Sequence, residues 1–451
     1  MNTANVDIHC SPRPTRHWHH LTLTALAIGA LALATSAHAA KGNNGKGGGK
    51  PGGDDGGGGD DGGDPPAEAV YSGTLIPTPS WADFYTARNL NNRGDVVGST
   101  RIGSKGRSQS SFGYVWKDGV MALLPGLTSE HTSTSPDDIA DGGNLMVGRS
   151  VGEAADGSTQ RPVVSWFDQG DGTFAMADLT ARLEDYAAIH QPEWQLYGID
   201  KVYFSQILTA DGRFMAFQGM IPAAAWSDES AYDHFAAVVS QWDWSDASNP
   251  VVVGMWVLAQ LPDTASEASE GIVTISLAIE NGFRDFGTAE ETEVVRVAGH
   301  AYFLAADGLY DSRHVPFRWE LDPAGGGATL EILGHTNDAA FDTYGASAHG
   351  INALGECVGA SGAQPYFWAV DGTLVALELL TGAPRSLNTA GVAVGSHCVW
   401  QTQTGSVSDL NTLVAGLPYL ELARAINEAG QILASTGSDW SDVSYLLTPN
   451  P

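Results

Sequence analysis

Three groups of residues in this 451-residue chain are of types that could do chemistry. The first is His300, Tyr302, His314, Arg318 and His349. A neutral His or Tyr can take a proton from carbon beside a carboxylate, and Arg or His can neutralise that carboxylate as charge develops. The second is the tripeptide Trp-Ser-Asp at Trp226–Asp228, Trp244–Asp246 and Trp440–Asp442. An exposed Trp can stack on a sugar ring while the carboxylate binds its hydroxyls; the same tripeptide is also ordinary loop punctuation around a packed Trp. The third is Gly148-Arg149-Ser150-Val151-Gly152, which has the form of a nucleophile elbow. An elbow needs a helix after its Ser. Here Glu153-Ala154-Ala155-Asp156-Gly157 follows, so Ser150 reads as a strand residue. No His-Glu-x-x-His, paired Cys-x-x-Cys or complete EF-hand loop occurs, and neither metal nor cofactor is expected.

The elements that must position these residues repeat along the chain, and repeats decide a fold before any single segment does. One unit runs Asn89-Leu90-Asn91-Asn92-Arg93-Gly94-Asp95-Val96-Val97-Gly98, then Phe112-Gly113-Tyr114-Val115-Trp116, then Asp118-Gly119. A second has Asp138-Ile139-Ala140-Asp141-Gly142, Val147-Gly148 and Val163–Phe167. Later copies hold Ile351-Asn352 to Val358-Gly359 with Tyr366-Phe367-Trp368, Leu387-Asn388 to Val394-Gly395 with Val399-Trp400, and Ile426-Asn427 to Ile432-Leu433 with Tyr445–Pro449. Asn-x-x-Gly is turn chemistry, because both residues tolerate positive φ. The β-branched run after it is a short strand, the Trp strand supplies bulk for packing, and Asp-Gly closes a hairpin to a last strand. The middle is less regular: Leu208–Ala216 holds a turn and strand, and His300–Leu304 matches an aromatic strand, which places His300 at a repeat position.

These residues resemble the HAF family of bacterial extracellular repeat proteins, whose unit joins an Ile-Asn-x-x-Gly-x-Val-Val-Gly strand to a His-Ala-Phe-Leu-Trp-like strand. The first half fits at Asn91–Gly98 and Asn352–Gly359 and in part at Asn427–Ala434; the second survives best at His300–Leu304. The likeness covers 70–180 and 340–449 well and 195–335 weakly, and it implies no catalytic residues.

About seven units fit, near 85–127, 132–182, 196–262, 270–335, 343–382, 383–415 and 420–449, with six or eight as alternatives. The last lacks a fourth strand, which Tyr71–Pro77 resembles. A ring completed in this way leaves no open sheet edge, so the expectation is an all-β propeller of four-stranded blades rather than an open solenoid. Thr180–His190 reads as an outer helix.

Arg13 and Arg16, the apolar run Leu21–Ala34 and Ser36–Ala40 have the order of a secretory signal peptide over 1–40. A Gly- and Asp-rich stretch, 41–68, cannot bury apolar surface and reads as a disordered linker before the domain 69–451. The expected address is bacterial and extracellular or periplasmic, with no membrane span in the mature chain. Net charge is −30 at pH 7. That excess argues against nucleic acid, whose phosphates recruit Lys and Arg. Cys357 and Cys398 lie about one repeat apart and read either as a disulfide between neighbouring units or as two buried thiols. The leading functional expectation is a binding or surface-interaction scaffold for carbohydrate or another extracellular ligand. The alternative is a carbohydrate-active enzyme such as a polysaccharide lyase, since secreted propellers include lyases. Convergence of His, Tyr and Arg in one pocket separates the two.

Overall fold

A computed structural model describes residues 69–451 except 83, 103–109, 193–194, 197–198, 200–206, 223–233, 259–270, 285–290, 305–309, 326, 335–345, 381 and 438–442. Within strands the side chains of 84, 234–235, 271–277, 281, 302–304 and 310–314 are also outside the description. The signal peptide and linker expected over 1–40 and 41–68 lie outside the described residues.

The repeats become seven antiparallel sheets, the blades of a propeller. β1 (Tyr71–Leu75) comes first in the chain and belongs to the last blade. Blade 1 is β2 (Phe84–Leu90), β3 (Val96–Ile102), β4 (Ser110–Lys117) and β5 (Val120–Leu123). Blade 2 is β6 (His131–Ile139), β7 (Leu145–Glu153), β9 (Val163–Asp168) and β10 (Phe174–Asp178), with the two-residue β8 (Thr159–Gln160) on β7. Blade 3 is β11 (Ile207–Leu208), β12 (Phe214–Ile221), β13 (His234–Asp243) and β14 (Val251–Leu258). Blade 4 is β15 (Gly271–Arg284), β16 (Thr292–Leu304), β17 (Tyr310–Asp322) and β18 (Gly327–Ile332). Blade 5 is β19 (Ala346–Ile351), β20 (Cys357–Ser361), β21 (Gln364–Trp368) and β22 (Leu374–Ala376). Blade 6 is β23 (Ser386–Leu387), β24 (Val392–Gly395), β25 (Cys398–Gln401) and β26 (Ser406–Asp409). Blade 7 is β27 (Leu422–Ile426), β28 (Ile432–Ser435) and β29 (Ser444–Pro449), and β1 pairs with β29 from Tyr71↔Pro449 to Leu75↔Tyr445. The expected ring closure is therefore made. The expected outer helix is α1 (Leu179–His190), capped by Asp178, whose carboxylate accepts from Thr180 N at 2.9 Å. A single turn, α2 (Leu410–Leu413), follows β26.

Each blade is apolar on both faces, because each stands between two others. Seven hydrophobic layers result, one at each blade junction. The layer joining blade 7 to blade 1 holds Leu433 and Leu446 against Tyr85 and Trp116. The third-strand Trp faces the preceding blade: Trp166, Trp368 and Trp400 donate their indole N–H to Pro125 O, Gly334 O and Glu378 O, where that blade's outer strand exits.

Asn in the Asn-x-x-Gly turn does more than shape the turn. Its Oδ1 accepts from its own loop: for Asn352, from Leu354 N at 3.1 Å and Glu356 N at 3.0 Å. Its Nδ2 donates to a carbonyl of the next blade. Asn352 reaches Asn388 O at 3.1 Å, Asn388 reaches Asn427 O at 3.2 Å, Asn427 reaches Asn91 O at 2.9 Å, and Asn91 reaches Ala140 O at 3.0 Å. The chain of bonds passes across the closure of the ring. Replacing Asn427 by Ala leaves the buried Asn91 carbonyl and the Gln431 N–H without this partner, so Asn427→Ala is expected to lower stability by about 2–3 kcal/mol. Urea unfolding of the two proteins checks this; a loss no larger than that of an exposed Ile189→Ala change would contradict it.

Cys357 and Cys398 do not form the bridge left open above; both are buried thiols. Cys357 packs in the layer between blades 4 and 5, and Cys398 in the layer between blades 5 and 6, so the sheet of blade 5 stands between them. Burial pushes the Cys357 thiol up to about 12.

Candidate active channel

The first strand of every blade faces the ring axis, and together these strands wall a central cavity of about 970 Å³. Five of them carry the same irregularity. The ladder slips by one residue between Ala87 and Asn89, Pro136 and Asp138, Ser276 and Ala278, Ala348 and Gly350, and Ala423 and Ala425. Each slip inserts one residue: Arg88, Asp137, Leu277, His349 and Arg424. A bulge of this kind re-aims a side chain out of the pleat. Each such residue stands three positions before the unit's Asn or its equivalent, as Arg385 does before Asn388. Repeat geometry thus sets these positions at one level of the wall, and Arg88, Asp137, His349, Arg385 and Arg424 all line the cavity.

The glycine of Val-Val-Gly makes room for the bulge. A Cβ at Gly98, Gly148, Gly359 or Gly395 would strike the carbonyl oxygen of Thr86, Ser135, Ser347 or Ala383, in each case two residues before the channel-facing residue. That explains Gly148 of the elbow-like pentapeptide. Ser150, in β7, is fully buried, and its hydroxyl accepts from Leu127 N at 2.9 Å, so the pentapeptide is a strand.

Charge around the channel is uneven. Blades 5, 6, 7 and 1 present His349, Arg385, Arg424 and Arg88 in succession, and blade 2 presents Asp137, which pairs with Arg88 at 2.5 Å; Asp138, Asp141, Glu280 and Glu428 also line the cavity. No carboxylate pairs with Arg385 among the described residues. The Nδ1 of His349 lies 3.0 Å from Pro384 O. A carbonyl can only accept, so Nδ1 carries the proton and Nε2 holds the lone pair in the neutral ring. Burial, and then the charge of Arg385, lower the pKa of His349, while the bond to Pro384 opposes this.

Asp138 sits just behind the channel-facing ring. Its Oδ1 accepts from Asn89 Nδ2 at 2.6 Å and Ile139 N at 2.8 Å, and its Oδ2 from Leu208 N at 2.7 Å. Burial nevertheless raises its pKa from 3.8 to about 7, with the Asp137 charge adding to the rise against those donors. The folded chain then keeps this proton at pH values where the unfolded chain has lost it, so the group's contribution to stability falls as pH rises from about 4 to about 7. An Asn there cannot titrate. The stability deficit of Asp138→Asn is therefore expected to be largest near pH 4 and to shrink toward pH 7 in paired urea unfolding curves; a pH-independent deficit would refute the shift.

The five residues singled out for proton chemistry separate. His300, buried in β16, lines the channel with His349. Arg318 does not. It lies in the wall between blades 4 and 5, paired with Glu331 and donating to Gly355 O at 2.5 Å and Val370 O at 3.1 Å. Tyr302 and His314 oppose each other across β16 and β17, and their side chains lie outside the described residues. The channel arginines Arg88, Arg385 and Arg424 were not singled out, because they are spread over three distant units; their signal is their position before the unit's Asn. Trp244 stacks on Trp242 at 5.1 Å and donates to Gly212 O at 2.8 Å, and Asp246 accepts from Ser248 N at 3.0 Å in its own turn. That pair is a packed Trp and a loop turn. Trp226, Asp228, Trp440 and Asp442 lie outside the described residues. Among the described residues no group of His, Cys, Asp and Glu could hold a metal ion, and no helix is long and apolar enough to cross a membrane.

No family model and no curated protein matches the chain. Solved structures similar to it include an oligogalacturonate lyase in complex with manganese (TM-score 0.42, 10% identity, covering 85% of this chain and 96% of that one). Others are the β-propeller domain of the Trilobed protease from Pyrococcus furiosus (0.32, 9%, 73% and 97%) and a gluconolactonase from Xanthomonas campestris (0.29, 12%, 86% and 99%). Likeness at this level assigns no activity or substrate to this chain.

Proposed function

We propose that this protein is a secreted bacterial propeller of the HAF repeat type that binds an acidic carbohydrate in its central channel. The observation that carries the reading is the run of arginines, Arg385, Arg424 and Arg88, at one repeat position on three consecutive blades, within a chain of net charge −30. Guanidinium groups hold carboxylates or sulfates through two parallel hydrogen bonds, and they do so more strongly away from bulk water. A cavity of about 970 Å³ accommodates a short oligosaccharide, and a binding role requires no catalytic set.

The test is calorimetric titration of the purified protein with an oligouronide and with the neutral oligosaccharide of the same length. Binding of the acidic ligand alone, weakened by added salt, is the expected result. Preference for the neutral ligand, or no binding of either, would overturn the reading.

A further inference from the structure

The channel holds one group that a passive anion site does not need. His349 is held by Pro384 O so that Nε2 carries the lone pair, and this nitrogen is on a residue that lines the cavity. Arg385 lies on the next blade and Arg424 on the one after, at the same repeat position. A base facing the same channel as a neighbouring guanidinium is what removal of a proton next to a carboxylate requires: Arg385 holds the carboxylate and stabilises the charge that spreads onto it, and the base takes the proton.

Resting on the binding reading above, we infer that the channel also cleaves a bound oligouronide by β-elimination, with His349 Nε2 as the base. The C5–H bond breaks and its proton goes to Nε2. The C5 electron pair becomes the C4–C5 double bond, and the C4–O glycosidic bond breaks with its electrons on the leaving oxygen. Nε2 then returns the proton to that oxygen through water, which restores the neutral imidazole. The products are a saturated saccharide and an unsaturated uronide; no oxidant or reductant is used. Tethering Nδ1 to a carbonyl fixes the tautomer, and the low pKa that burial and Arg385 give His349 keeps the ring neutral near pH 7.

The experiment incubates an oligouronide with the full mature protein and follows the ultraviolet absorbance and mass of the unsaturated product, while calorimetry measures binding of the same ligand. Wild-type protein should form the product. His349→Ala and His349→Gln should bind within a few-fold of wild type and lose at least about 100-fold in rate. Arg385→Ala should lose both binding and turnover. Binding without product by the wild-type protein would overturn this inference and leave the binding reading standing; absence of binding would overturn both. Equal turnover in a folded His349→Gln protein would remove His349 as the base.

Discussion

Removal of residues 69–77 is expected to unfold or aggregate this protein at temperatures where the intact chain is stable. β1 is only five residues long, but it completes blade 7 at the point where the ring joins. Its ladder to β29 would be lost, with the bonds from Val70 N to Leu413 O at 2.9 Å and Ile76 N to Ser444 O at 3.0 Å. Ile76 is fully buried in the layer between blades 7 and 1, and Val70 and Tyr71 pack between blades 6 and 7. Burying Ile76 alone is worth about 2–3 kcal/mol. Each lost hydrogen bond adds about 1 kcal/mol, so the total exceeds about 5 kcal/mol. The bared edge of β29 would then offer unpaired backbone groups to other chains. Thermal unfolding and size-exclusion chromatography read both effects, and Ile76→Asp in the full-length chain separates lost packing from lost backbone. A monomeric deletion variant that melts with wild type would show that β1 does not close the ring.

The second large effect concerns a methyl group. Gly359→Ala places a Cβ against the carbonyl oxygen of Ser347, which cannot retreat because it belongs to the bulged strand β19. Backbone, not a flexible side chain, must move. A loss of about 2–3 kcal/mol is expected, at the upper end for overpacking. The same strain should displace His349, two residues after Ser347, so the variant should also form the unsaturated product more slowly. Gly119→Ala is the comparison: a Cβ there meets nothing within 4 Å, although its positive φ costs about 1 kcal/mol. Urea unfolding of the two variants should rank Gly359→Ala as the more harmful; the reverse order would contradict the close-approach account.

Much of the ring was legible because each blade repeats turn, strand, Trp strand and hairpin. The expected units enclose the observed blades to within a residue, with Phe84 and His131 just outside the first two, and Tyr71–Pro77 was recognisable as the missing strand. Blades 3 and 4 were harder for local reasons. β11 has two residues, Thr209 takes the place of Asn, with its hydroxyl bonded to Asp211 and Phe214, and β15 to β17 run 13 or 14 residues each. The bulge could not be read from one unit, since one extra residue leaves no mark in an alternating pattern as short as Thr86–Leu90. It appears only when the units are aligned on their Asn, and then Arg88, His349, Arg385 and Arg424 fall in one column. Arg318 misled because residue type was informative and direction was not: its strand, β17, is the third of blade 4 and lies away from the axis. Spacing left the thiols open between a bridge and two buried thiols, because it shows that they are one repeat apart but not that they lie on opposite sides of a blade.

The claim that the inner-strand column reads the ligand is tested most directly by titrating one oligouronide into wild-type protein, Arg385→Gln/Arg424→Gln, and Arg213→Gln on the exterior. Arg213 pairs with Asp211 and Glu293 and does not line the channel. The account predicts at least about a tenfold loss of affinity for the channel double variant, about 1.4 kcal/mol or more, and none for Arg213→Gln. Equal affinity in all three proteins, or a loss confined to Arg213→Gln, would contradict it.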